Sequence, residues 1–188
     1  MDSIQLKIDK VLKDFWLNYL RKEYSNDNLL KEDSLKCLMY YHLRTHLSDT
    51  WLNRHRIRIY PEFILTPGKR ADIAIVQLLP AAQRVSKHLS NCVVKVKVII
   101  ELKYKFADVV DDFYTDVKKL HDYSKLLPDS QLYAGFIHEE IYNDTNCSWF
   151  DDRQTSKWAK GRVVEMLGYW DETDDGFTTK VIAYNEQK

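Results

Sequence analysis

The sequence of 188 residues predicts an α/β protein with a mixed central sheet flanked by helices. Apolar side chains recur at helical spacing in two segments before residue 48 and in a third after residue 109. Between residues 54 and 105, three apolar, β-branched segments follow one another, separated by turn-forming or irregular stretches. A helix and a further strand come next, the order that a crossover between strands of one sheet requires.

Taken in order, Ile4, Ile8, Val11, Leu12, Phe15, Trp16 and Tyr19 form the first helical stripe, and Ser25-Asn26-Asp27-Asn28 interrupts it as a turn. The second helix runs from about Lys31 to Leu47, with Leu35, Leu38, Met39, His42, Leu43 and His46 on its stripe and Asp33 or Ser34 as its cap. After Trp51, RHRIRIYPEFIL reads as a strand, TPGK as a turn and RADIAIVQLL as a second, nearly continuous apolar strand. Residues 80–92 are an irregular or short helical insertion, and CVVKVKVIIELKYK is the third strand. The helical period returns from Val109 to Leu127, Pro128-Asp129 ends it, and QLYAGFIH is a further strand. From Asp144 the tail is polar, with a helical turn or two around Gln154–Lys160. VVEMLGYW and FTTKVIAY then form a hairpin around DETDDG.

Bulk properties narrow the function classes. Hydrophobic residues at 45% and charged ones at 30% are an ordinary globular composition, and the length suits one domain with a sizeable core. Basic and acidic residues balance at 28 each, so a nucleic-acid partner would have to be met by a local patch. Cys37, Cys92 and Cys147 are far apart and form neither a disulfide framework nor a zinc knuckle, which fits a cytoplasmic location. No stretch is apolar enough for a signal peptide or a membrane span, so no membrane partner is expected.

The chemistry gathers at the ends of two strands. In IIELKYK, Glu101 and Lys103 alternate to the same face with α-carbons about 6.6 Å apart, while Leu102 points to the core. Asp72 stands in the apolar strand RADIAIV, where a carboxylate is costly unless it is paired or bound to a metal. Two convergent carboxylates can hold Mg²⁺ (or Mn²⁺), which polarises a phosphodiester and lowers the pKa of a water. A lysine beside them can hold that water and offset developing charge. The bland counterpart is a structural ion pair, with Asp72 held by a residue such as Arg70. His42 and His46 have a zinc-chelating spacing but no third ligand nearby, and read as histidines at a core boundary.

Ala71-Asp72, then Glu101-Leu102-Lys103 on the next strand, then a helix and a strand, resembles the PD-(D/E)xK nuclease superfamily. Ala71 replaces the proline of that signature, and residues 80–92 would be a loop insertion. The resemblance covers about Lys31 to His138, through short motifs. It implies a restriction-endonuclease-like fold with an extra N-terminal helix and a C-terminal β-hairpin. The single domain would have its core at about 31–138, an N-terminal helical extension over 1–30 and a C-terminal extension over 139–188. It further implies that Asp72 and Glu101 bind metal and that Lys103 supports the attacking water. Many members add an acid from the preceding helix; Glu32, which falls on the inward stripe, is the residue placed for this, with Glu62 ranked behind it as a competing fourth acid.

Arg54, Arg56 and Arg58, with Lys95 and Lys97 on the third strand, are expected to grip phosphates; Lys118 and Lys119 lie on the next helix. Lys95 and Lys97 are expected on the face that carries Glu101. The expected function is a Mg²⁺-dependent phosphodiester hydrolase, in the first place a DNA endonuclease, with a homodimer or larger assembly supplying two sites. The alternative is a non-catalytic nuclease-like domain that binds nucleic acid or a partner protein in a defence or mobile-element system.

Overall fold

The computed structural model describes residues 1–86, 88–106, 110–143, 147–173 and 176–186. Val109, Asp144, Asp174 and Asp175, which the expected third helix, polar tail and terminal turn include, lie outside the described residues. Helix α1 (Ser3–Asp14) starts on a reciprocal cap: Asp2 accepts from the Gln5 backbone at 2.9 Å, and the Gln5 side chain accepts from the Asp2 backbone at 2.9 Å. It passes through a π-helical turn, Phe15–Tyr19, into α2 (Leu20–Ser25). The wider turn shifts the apolar stripe by one residue. Leu20 is fully buried, whereas Tyr19, expected on the stripe, is 38% exposed. A pattern with a constant period of 3.6 cannot register that inserted step.

Helix α3 (Glu32–Leu47) begins slightly before its expected cap, because the Ser34 hydroxyl accepts from the backbone N–H groups of Leu30 and Lys31, both at 3.0 Å. A seven-residue helix, α4 (Asp49–His55), follows. Arg54 therefore sits on a helix and not at the start of a strand; so short a segment shows less than two helical periods.

The strands β1 (Ile57–Thr66), β2 (Lys69–Leu78), β3 (Val93–Phe106), β4 (Gln131–Tyr142), β5 (Val163–Asp171) and β6 (Gly176–Ala183) form one sheet in sequence order. β1, β2 and β3 are an antiparallel meander, β4 and β5 add in parallel, and β6 returns antiparallel. Helix α5 (Asp111–Leu126) makes the crossover from β3 to β4, and the short α6 (Asp152–Thr155) lies between β4 and β5. The mixed sheet flanked by helices agrees with the restriction-endonuclease-like α/β expectation.

Alternation along β3 divides the core. Ile100 and Leu102 face α1 and α3, packing with Leu12, Trp16, Leu35 and Met39; Ile99 faces α5, packing with Phe113, Val117 and Leu120. A bulge breaks this alternation lower in the strand: Ile75 pairs with Val98, but Val76 pairs with Val96, leaving Lys97 as an extra residue. Before the bulge the side chains change faces, and Lys97 turns toward α1, where its ammonium meets Asp2 at 2.7 Å. At the outer edge, β1 contains Pro61, and Glu62 takes φ = 55°. On β5, buried Glu165 accepts from the Trp149 backbone (2.6 Å), the Ser148 hydroxyl (2.9 Å) and the Tyr184 hydroxyl (3.1 Å), which ties the loop before α6 and the C-terminal turn to the sheet.

Trp16 closes the α1 face. Its indole N–H donates to the Leu167 carbonyl at 2.8 Å, and its ring lies over Gly135. A β-carbon at Gly135 would fall 2.7 Å from Leu102 Cδ2 and 3.1 Å from the Trp16 ring. Gly135→Ala is therefore expected to cost about 1–3 kcal/mol through overpacking. The measurement is the urea midpoint, which falls at unchanged slope.

Candidate active site

The last β2–β3 pair at one end of the meander is Ile73–Ile100. Beyond it the described strands part: β2 continues beside β1 alone through Ala71, Arg70 and Lys69, and β3 continues beside β4 alone from Glu101 to Phe106. Asp72 and Glu101 are the first residues past the last pair, one on each strand, so they stand opposite each other where the sheet splits. Asp72 is anchored there because its Oδ2 accepts from the Leu102 backbone at 2.8 Å.

Two helices close the split. Glu32 and Lys36, one turn apart on α3, reach in from one side; Asp116, Lys119 and Tyr123 come from α5. Lys36 Nζ lies 2.9 Å from Asp72 Oδ1 and also pairs with Glu62, whose other oxygen meets Arg70 Nε at 2.7 Å. Lys103 Nζ bridges Glu32 Oε2 (3.1 Å) and Asp116 Oδ2 (3.0 Å). Lys119 Nζ bridges Asp116 Oδ1 (2.6 Å) and Glu101 Oε2 (3.3 Å). Five carboxyl groups thus face four cations, and with Glu101 protonated at neutral pH the charges of the cluster balance.

Glu101 is the least compensated group. It is completely buried, and its Oε1 has no hydrogen-bond partner. Burial first, and then the charge of Asp72, push its pKa up to about 8, against the opposing pull of Lys119. Burial disfavours the Lys103 ammonium, but Asp116 and Glu32 outweigh it and hold its pKa above the ordinary lysine value. The same balance holds for Lys36, with Glu62 and Asp72 as the anions. All three lysines of the cluster are therefore protonated at neutral pH.

Four sequence-predicted residues, Glu32, Asp72, Glu101 and Lys103, meet in this one split. Glu62 borders it through Lys36, and Arg70 binds Glu62 and not Asp72. The five cations expected to grip phosphates are elsewhere. Arg58 pairs with Val76 and Lys95 with Gln77, four and five residues along β2 from Asp72, or roughly 13–17 Å. Arg54 and Arg56 precede Arg58 at the same end. The expectation that Lys95 and Lys97 share a face with Glu101 is corrected by the β3 bulge: Lys97 is buried on Asp2, and Lys95 meets Asp129 at 3.0 Å. His42 and His46 stack at 3.9 Å against Tyr19, the core-boundary arrangement.

Asp116, Lys36 and Tyr123 are members of the cluster that the sequence motifs did not single out. Helical spacing contained the signal. Asp116 stands three residues after Phe113 and four before Leu120, Tyr123 three after Leu120, and Lys36 four after Glu32.

Among the described residues no group of three or more His, Cys, Asp or Glu side chains is arranged to hold a metal ion. Lys36 and Lys119 lie against the carboxylates and supply the positive charge there. The donor chemistry nevertheless suits a hard divalent cation. Asp72 and Glu101 stand on adjacent strand ends, and Glu101 Oε1 is buried without a hydrogen-bond partner.

No family model matches the chain, and no curated protein matches it. A solved structure, Pyrococcus furiosus SfsA in complex with Ca²⁺, is similar at 11% identity and a TM-score of 0.34, over 79% of this chain and 62% of that one. The chain thus spans less than two thirds of the length of that SfsA structure. Among the described residues no helix is long and apolar enough to cross a membrane.

The raised pKa of Glu101 has a measurable sign. Between the ordinary carboxylate value of 4.5 and about 8, the folded protein keeps a proton on Glu101 that the unfolded chain releases. This group therefore lowers metal-free stability as pH climbs through that window, and adds no further loss above it. Glu101→Gln in EDTA is expected to flatten this dependence and to gain about 1–2 kcal/mol at pH 8, a rise of roughly 3–6 °C in Tm for a chain of this size.

Proposed function

We propose that the protein is a Mg²⁺-dependent phosphodiester hydrolase of the PD-(D/E)xK type, acting on DNA as an endonuclease. The observation that carries this is the gathering of Asp72, Glu101, Lys103 and Glu32, drawn from three elements, around a buried carboxylate with a free oxygen. Such a site is expensive to bury and contributes nothing to the core.

Asp72 and Glu101 would hold the ion, with Glu32 completing the donor set. When bound, the ion polarises the scissile phosphodiester and makes a water a better nucleophile. Lys103 stays protonated, so it serves as a hydrogen-bond donor and not as the base. It orients the attacking water and offsets charge that builds on the phosphoryl oxygens. Asp116 and Glu32 fix its ammonium from two sides, which limits the reorganisation needed at the moment of reaction.

One observation favours a second class of function. The ammonium groups of Lys36 and Lys119 lie against the carboxylates, as in a charge cluster that needs no ion. On that reading the domain binds nucleic acid or a partner protein without cutting.

Circular single-stranded and supercoiled double-stranded DNA, incubated with Mg²⁺, Mn²⁺ or EDTA, separate the two. The wild type is expected to cut only with metal, and Lys103→Ala, folded by circular dichroism, to be slower by at least about 100-fold. No cutting by either protein, with no Mn²⁺-induced rise in Tm, would establish the non-catalytic class.

A further inference from the structure

The five distant cations leave open how a nucleic acid strand is held at the split, and a cleft beside it answers this. A cavity of about 380 Å³ lies between the β1–β2 turn and α5, bordered by Gly68, Lys69, Arg70, Lys119, Asp122 and Tyr123. Its volume is at the lower end for a small-ligand site and suits a phosphate with its sugar. Three of its six lining residues are cationic, and Asp122 is its sole carboxylate.

The cleft and the split are physically joined. Lys119 lines the cleft and also contacts Glu101 at 3.3 Å. The Tyr123 hydroxyl donates to the Arg70 carbonyl at 3.0 Å, fixing the β2 end against α5. Gly68, at φ = 78°, makes the turn and has no atom within 4 Å of where a β-carbon would lie, so the mouth beside it is open.

The cations can be released to a ligand. Lys69 meets Asp122 at 2.8 Å, but both side chains are at least 40% exposed. Such a pair contributes little in water and is screened by salt. Arg70 is more exposed still, and its pairing with Glu62 through Nε leaves its terminal amino groups for a second acceptor. A phosphate diester, whose single charge is shared by two non-bridging oxygens, can accept from these donors together.

We infer that this cleft binds a backbone phosphate of the strand being cut, next to the scissile one, through Lys69, Arg70 and Lys119. The inference rests on the proposed nuclease function and adds where the strand runs: over the β1–β2 turn, not along the Arg54–Arg58 end of the sheet.

The test is equilibrium binding of a fluorescent single-stranded oligonucleotide in EDTA across a salt series, with cleavage in Mn²⁺ measured in parallel. Lys69→Glu and Arg70→Ala are compared with wild type and with Lys7→Glu on the far face of α1. Lys69→Glu is expected to weaken binding by about tenfold or more, and Arg70→Ala to reduce the salt slope by about 1. Lys7→Glu should bind as wild type, and the Mn²⁺-induced Tm shift should persist in Lys69→Glu, showing an intact split. Wild-type-like binding by Lys69→Glu and Arg70→Ala, in a protein that cuts, would overturn the cleft and leave the nuclease function standing. A wild type that neither binds nor cuts would overturn both.

Discussion

The burial of Glu101 is the constraint around which the rest of this structure is arranged. A carboxylate removed from water costs several kcal/mol unless it is compensated, while a whole domain is stable by only about 5–15 kcal/mol. A chain of neighbours in the split answers that cost. Lys119 approaches it directly, Asp116 holds Lys119, Lys103 balances Asp116, and Glu32 balances Lys103. Compensation is incomplete, since one oxygen of Glu101 is without a hydrogen bond and its pKa remains high. Glu165, whose pKa burial also raises, to about 7, differs in having both oxygens hydrogen-bonded, with three donors around it.

The scaffold makes the split affordable. Below it, β2 and β3 are bonded and carry Ile73, Ile75, Val98 and Ile100, all fully buried. On the α1 face, Trp16 bonds to β5 and packs over β4 at Gly135, which fixes Leu102 directly beside Glu101. Leu102 then donates its backbone N–H to Asp72. Packing from the aromatic helix is thus transmitted to the position of a carboxylate through two adjacent residues of β3. On the other face, Phe113 and Leu120 seat α5, and the same helix presents Asp116 and Lys119 to the split.

Much of this was legible in the sequence, and the rest was not for definite reasons. Alternation around Glu101-Leu102-Lys103 and the lone acid at Asp72 identified the two strand ends, because a strand repeats every two residues whatever surrounds it. The helix carrying Glu32 was equally readable. Asp116 was not singled out because α5 holds several acids, among them Asp111, Asp112 and Asp122, and only the packing of the helix decides which turns inward. The faces of Lys95 and Lys97 were misassigned because a bulge inserts one residue without leaving a mark in the local pattern. The π-helical turn displaced Tyr19 in the same manner. In both cases the period changed partway through an element, and a periodic pattern carries no record of such a step.

The outer edge of the sheet has a consequence of a different kind. β1 is an edge strand, and an unpaired edge offers its backbone to any extended chain that meets it. Pro61 has no N–H to offer, and the left-handed backbone at Glu62 turns the strand out of the flat geometry that a new neighbour would need. The edge nearest the charge cluster is therefore closed to strand addition. Self-association through continuous sheet is disfavoured on that side.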